Sequence, residues 1–250
     1  MIEPQPIRIN AFAGLSIAVD GRPVRFGRTA PRKPLALLRS LITVGDHAIS
    51  VHAACELLWP DAEGHDAYRA FVTTVYRLRG LLRHREAIRF SADGVRLEAR
   101  LVWVDAWEFE RALAASPPPQ QLAAALALYR GPFLGDDEHQ HAFEARERLH
   151  RKFIRVVRML GHHYESVGDF AAAIALYERA LDAGAVSEEI HVELMQCLAR
   201  VGQRGAAAQV FERCRALLAR RLCITPSSAT VIAFRSIVDA SRDQPVTSAL

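Results

Sequence analysis

The chain changes its hydrophobic period several times, and the changes divide it into elements. Ile7-Arg-Ile-Asn-Ala-Phe12 alternates apolar and polar residues, Gly14 interrupts, and Leu15-Ser-Ile-Ala-Val19 alternates again. Asp20-Gly21 then turns the chain into Arg22-Pro-Val-Arg-Phe26, and Asp-Gly between alternating runs is the strongest local signal for a tight hairpin. A small antiparallel sheet is predicted. After Pro34 the period lengthens: Leu35, Leu38, Leu41 and Ile42 recur at helical spacing, and the run stops at Val44-Gly45, which predicts a first helix. His47-Ala-Ile49 is a short extended piece, and Ser50 is placed to cap a second helix from Val51 to Trp59, stopped by Pro60. The polar loop from Asp61 to His65 leads to Asp66, read as the cap of a third helix from Ala67 to Arg83. Ile88-Arg-Phe90 and Val95-Arg-Leu97, joined through Ala92-Asp-Gly94, predict a second hairpin.

Beyond the hairpin the pattern is helical. Trp103-Val-Asp105-Ala-Trp107-Glu-Phe109 reads as the approach to a helix capped by Asp105 and ending at Ala114, after which Ser116-Pro-Pro-Pro119 breaks the chain. Two later stretches match each other at an offset of 34 residues: Leu160-Gly161, Tyr164, Gly168, Ala173, Tyr177 and Ala180, then Leu194-Met195, Leu198, Gly202, Ala207, Phe211 and Cys214. Small residues where helices cross, with an aromatic between them at this period, are the tetratricopeptide signature. Ala125 and Tyr129 keep the spacing of Ala173 and Tyr177 and suggest a degenerate upstream copy. The fold class read from this order is an α+β N-terminal winged helix-turn-helix over 1–100, then an all-α tetratricopeptide-like helical repeat domain over 101–240, with a tail at 241–250. Stacked repeats leave a groove suited to peptides or helices.

Charge sharpens the reading of the first part. The formal net charge is +4, but residues 1–100 carry 15 Lys and Arg against 10 Asp and Glu, whereas 101–250 carry 17 against 18. From Arg69 to Arg85 there are five arginines and no acid, the pattern of a helix that approaches a polyanion. At about 100° per residue, Phe71, Val75, Leu78 and Leu82 share one face and anchor the third helix. The opposite face then carries Arg69, Thr73, Tyr76, Arg77 and Gly80. Arginine can pair bidentately with guanine and threonine can meet thymine, so Arg69, Thr73, Tyr76 and Arg77 are the expected base readers. Phosphate contacts are expected from Arg32 and Lys33 at the start of the first helix, from Arg79, Arg83 and Arg85, and from Arg89 and Arg96 on the hairpin. The structural alternative pairs Arg79 and Arg83 with acids of the same domain, such as Glu56 or Glu86.

The motifs Asp20-Gly-Arg-Pro-Val24, Leu57-Leu-Trp59 and Val75-Tyr-Arg-Leu-Arg79 resemble the OmpR-type winged helix of the antibiotic-pathway regulatory (SARP) family. The run Asp105 to Phe109, Tyr129-Arg-Gly-Pro-Phe-Leu134 and Leu222-Cys-Ile-Thr-Pro-Ser227 resembles the bacterial transcriptional activator domain that follows it in the same family. The resemblance implies that the third helix enters the major groove of double-stranded DNA with the hairpin as wing. It also implies an activator that binds promoter direct repeats, as a homodimer on the DNA, and recruits RNA polymerase.

Other function classes are poorly served. No segment is long and apolar enough to span a bilayer, and the N-terminus lacks the basic and apolar regions of a secretion signal, so a cytoplasmic location without membrane contact is expected. Cys55, Cys197, Cys214 and Cys223 show neither C-x-x-C nor zinc-ligand spacing and read as reduced thiols. Glu138, His139 and His141 fall in a loop-like stretch without ligand spacing, and beside His162 the pair His163 and Glu165 are two apart and point different ways on a helix, so neither group reads as an acid-base or metal site. There is no P-loop, G-x-G-x-x-G or G-x-S-x-G, so neither catalysis nor a cofactor is expected. The remaining rival is an interaction scaffold that does not touch DNA.

Overall fold

A computed structural model describes residues 5–26, 30–91, 93–113, 117–135 and 140–239, with the side chains of 140 and 141 excepted. The helix end expected at Ala114, the break at Ser116, the turn residue Ala92, the Glu138, His139 and His141 group and the tail 241–250 lie outside them. Two compact units are present, residues 1–116 with 127–149 and residues 117–126 with 150–250.

In the first unit, β1 (Ile7–Asn10) pairs antiparallel with β2 (Ser16–Val19), which pairs with β3 (Arg22–Pro23). The turn between β2 and β3 has both Asp20 and Gly21 at positive φ, 49° and 74°, the geometry for which Asp-Gly is suited. β3 is shorter than the predicted run to Phe26. Pro23 has no N–H to extend the ladder.

Three helices follow. α1 (Arg32–Val44) starts ahead of Pro34, because a proline in the first turn lacks only an N–H that has no partner there, and it buries Leu35, Leu37, Leu38, Leu41 and Ile42. α2 (Val51–Leu58) is capped by Ser50, whose hydroxyl accepts the Ala53 N–H at 3.1 Å. α3 (Gly64–Leu82) begins earlier than predicted: Glu63 occupies the cap position, and Asp66 lies inside the first turn, where the helix dipole favours a carboxylate. Arg83 closes α3 in the left-handed region at φ 56°.

The predicted hairpin is β4 (Ile88–Ser91) paired with β5 (Gly94–Leu97). Ile49 and Val95 exchange both backbone hydrogen bonds at 2.9 Å, so the extended piece before α2 edges the hairpin. Gly94 is fixed by this approach. A Cβ there would lie 2.1 Å from the Ile49 carbonyl oxygen.

The sequence boundary at residue 100 is not where the first unit ends. β6 (Val102–Val104) pairs parallel with β1 and completes a sheet in the order β3-β2-β1-β6. Across that pairing the Arg8 guanidinium lies 4.0 Å from the Trp103 ring centroid, a cation–π contact. Asp105 does not cap a helix from outside but is the first residue of α4 (Asp105–Arg111). Its carboxylate is 2% exposed and accepts N–H bonds from Ala11 at 2.7 Å, Phe12 at 3.2 Å and Ala106 at 2.8 Å. The Trp107 indole donates to the Ile42 carbonyl at 2.8 Å and joins α4 to α1.

The segment from Tyr129 to Gly135 folds onto the loop after β1. Leu134 N–H bonds Ala11 O at 2.6 Å, and Ala13 N–H bonds Pro132 O at 2.9 Å. Tyr129 therefore does not continue an upstream repeat. It follows α5 (Pro119–Leu128) and packs on Phe12 at 4.7 Å and Phe109 at 6.0 Å between ring centroids.

The second unit contains most of α6 (Gln140–Ser166), then α7 (Phe170–Asp182), α8 (Glu188–Arg200), α9 (Arg204–Leu222) and α10 (Ser228–Asp239). α8 packs against α7, α9 and α10. The repeat positions hold: Ala173, Tyr177 and Ala207 are fully buried, and Gly168 and Gly202 both turn at φ near +80°. Tyr177 leans so closely on Gly161 that a Cβ there would sit 2.2 Å from the phenol oxygen, which donates to Glu165 at 2.8 Å. Phe211, the counterpart of Tyr177, instead stacks on Phe234 of α10 at 4.1 Å.

Asp105→Asn leaves one acceptor oxygen for three N–H groups, and the loss of a buried partner predicts a cost of about 1–3 kcal/mol in urea unfolding at neutral pH. Burial holds the Asp105 carboxyl above the usual carboxylate range, against the opposing pull of its three N–H donors. A raised native value means stability that is present in acid and lost as pH climbs through it. The margin of the native chain over Asp105→Asn should therefore be widest in acid and narrow toward neutrality.

Candidate nucleic-acid interface

α3 is two-faced, as its periodicity requires. Phe71, Val75, Leu78 and Leu82 are at most 6% exposed, joined by Ala67 and Thr74, and they pack α3 against α1 and α2. Arg69, Thr73, Tyr76, Arg77 and Gly80 are all exposed on the other side, Tyr76 at 72%. The four expected base readers thus share one open helical surface. Thr73 bends its hydroxyl back to donate to the Arg69 carbonyl at 3.0 Å, which leaves its methyl group and an oxygen lone pair outward. A Cβ at Gly80 would touch nothing within 4 Å, so the surface is lowest there.

The expected phosphate contacts separate into two groups. Arg32, Arg83, Arg85 and Arg89 are exposed and Arg96 is half-buried. Arg89 and Arg96 face each other across the hairpin, like charges on directly opposed residues, with Glu98 3.3 Å from Arg89 as partial compensation. Lys33 and Arg79 are instead taken up by the fold. Lys33 donates to the Leu58 carbonyl and lies 5.5 Å from the Trp59 ring centroid, closing the C-terminal end of α2. Arg79 is half-buried, and its Nη2 donates to the Ile88 carbonyl at 2.8 Å, bracing the first residue of β4 against α3. Neither Arg79 nor Arg83 forms an ion pair with Glu56 or Glu86 among the described residues; Glu56 pairs with His52 at 3.3 Å.

Sequence reasoning passed over Tyr68 and Val72, which are 45% and 47% exposed. With Tyr76 they form a row at spacing four along the flank of the arginine face. The signal was available: an apolar row displaced from the anchoring stripe has no core to enter. Of the histidine and acid groups considered for chemistry, His162 pairs with Glu193 at 3.2 Å and Glu165 accepts the Tyr177 hydroxyl, both structural uses.

Residues 104–238 match the family described as BTAD, the bacterial transcriptional activator domain, over more than half of the chain. The chain belongs to that family. A structure of Mycobacterium tuberculosis EmbR in complex with a low affinity phosphopeptide has a similar fold, with a TM-score of 0.72 and 21% identity over 97% of this chain and 67% of that one. No curated protein sequence matches the chain. As a BTAD protein it belongs to a family of transcriptional activators, which are not enzymes. The family match begins at Val104, so in this BTAD protein it takes in Asp105, the aromatic cluster and the helical repeats but not α3. Among the described residues no helix is long and apolar enough to cross a membrane.

Arg79→Met removes a charged donor from the carbonyl of Ile88, a residue 1% exposed. A loss of about 1.5–3 kcal/mol is expected for a hydrogen bond of that type. Thermal unfolding measures it, and hydrogen exchange should speed up first in β4 and β5.

Proposed function

We propose that this BTAD protein is a sequence-specific transcriptional regulator, an activator that binds double-stranded DNA through an OmpR-type winged helix-turn-helix of the SARP kind. α3 lies in the major groove, with Arg69, Thr73, Tyr76 and Arg77 toward base edges, and the β4–β5 hairpin is the wing. Arg32, Arg83, Arg85, Arg89 and Arg96 contact phosphates. One observation carries the reading: the whole face of α3 opposite its buried stripe is open, and the helix holds no acid between Asp66 and its end. A helix surface of arginine, threonine and tyrosine, free of carboxylates, matches the donors and methyl contacts by which base edges are read.

The opposed pair Arg89 and Arg96 supports the wing assignment. Like charges set across a hairpin repel, and a phosphate placed between them relieves the repulsion. The helical repeats serve protein partners, RNA polymerase among them, and direct repeats in the promoter call for two copies of the chain side by side. Such a protein works in the cytoplasm, where the duplex is. No cofactor is needed for any of these steps.

Selection of bound sequences from a random duplex pool supplies the operator. Against it Arg77→Ala should weaken binding by about 1–3 kcal/mol and relax the preference at one base pair, whereas Arg96→Ala should weaken all duplexes alike and lower the salt slope by about 1. A chain that enriches no sequence and shows no salt-dependent affinity for duplex DNA is the scaffold of the rival reading.

A further inference from the structure

The chain has a second long basic stretch without an acid. Between Arg148 and Tyr164 it carries five Arg or Lys residues and no Asp or Glu, all on α6. Within the second unit this part of α6 lines one wall of a groove of about 550 Å³, whose other wall is formed by Val186, Ser187 and Glu189 at the start of α8.

The charges along that wall are not equally spent. Arg158 and His162 both converge on one oxygen of Glu193, at 2.5 and 3.2 Å, and Glu193 is 7% exposed. Glu189 takes the Ser187 hydroxyl at 2.7 Å. Arg151 and Arg155, four residues apart and so on one face of α6, are exposed and have no ion-pair partner among the described residues. The groove is also lined by apolar side chains, Ile154 and Met159 on α6 and Val186 on the other wall, with Met159 38% and Val186 37% exposed. Two unmatched guanidinium groups beside exposed apolar surface ask for a ligand with both carboxylates and apolar side chains. A nucleic-acid backbone would engage the two arginines but gain nothing from Met159 and Val186.

We propose that this groove binds an acidic segment of a partner protein, with carboxylates on Arg151 and Arg155 and apolar side chains on Met159 and Val186. This surface lies on another element from the DNA-reading face and does not rest on it.

The test uses the full chain and two fluorescein-labelled peptides, one alternating Glu and Leu and one alternating Gln and Leu, read by anisotropy, with a random-sequence duplex as the third probe. The native chain should prefer the Glu peptide. R151E/R155E should weaken that peptide about tenfold or more while leaving the duplex affinity and the melting temperature unchanged, and tenfold corresponds to about 1.4 kcal/mol. R151Q/R155Q, which removes charge without reversing it, should weaken the Glu peptide to a lesser degree and serves in place of the reversal if that variant fails to fold. Equal affinity for the two peptides overturns the proposal, as does full Glu-peptide affinity in R151Q/R155Q. A double variant that loses the duplex and keeps the peptide overturns it too, and makes α6 a phosphate-backbone surface.

Discussion

The buried carboxylate of Asp105 is the joint on which the first unit depends. It sits where β6 becomes α4 and draws in the N–H groups of Ala11 and Phe12, two donors that would otherwise be orphaned at the end of β1. Those bonds fix the loop from Ala11 to Gly14, and that loop supplies the Ala11 carbonyl that accepts from the Leu134 N–H and the Ala13 N–H that donates to the Pro132 carbonyl. Phe12 is thereby held against Phe109, Tyr129 and Phe133. Asp105 thus holds two backbone donors that lie 94 and 93 positions before it in the chain. The family match starts one residue before this aspartate, so what looks like the border of a family domain is inside a single hydrogen-bonded unit.

What was legible in the sequence was whatever repeats locally. The anchoring stripe of α3, the Asp-Gly turn, the Ser50 cap and the second hairpin all come from short-range patterns, and each appears at or within a few residues of its predicted place. The repeat period was legible for the same reason: Gly168 and Gly202 must both adopt a left-handed turn, and Ala173 and Ala207 must both let helices cross.

What was not legible depends on partners far along the chain. Val102-Trp-Val104 is too short to declare itself a strand, and its pairing with β1 has no local signature. Asp105 looks like a helix cap because aspartate before a helical pattern usually is one; only the folded chain brings Ala11 to it. Tyr129 matched Tyr177 in spacing, but spacing cannot tell an aromatic in a repeat from one drawn into a neighbouring cluster. Lys33 and Arg79 were counted with the free cations because a sequence shows charge and not the carbonyl that uses it. The open face of α3, by contrast, was placed correctly because the buried stripe alone dictates it.

The bond from Arg79 to Ile88 ties the hairpin to α3, and the Ile49–Val95 bridge ties it to the extended piece before α2, so the hairpin is held from two sides. For a duplex docked as proposed, changing the gap between helix and hairpin would break these bonds. The nucleic acid must adjust the width of its own grooves instead. Discrimination then extends to base pairs that no side chain reaches, through the differing stiffness of the steps that have to deform.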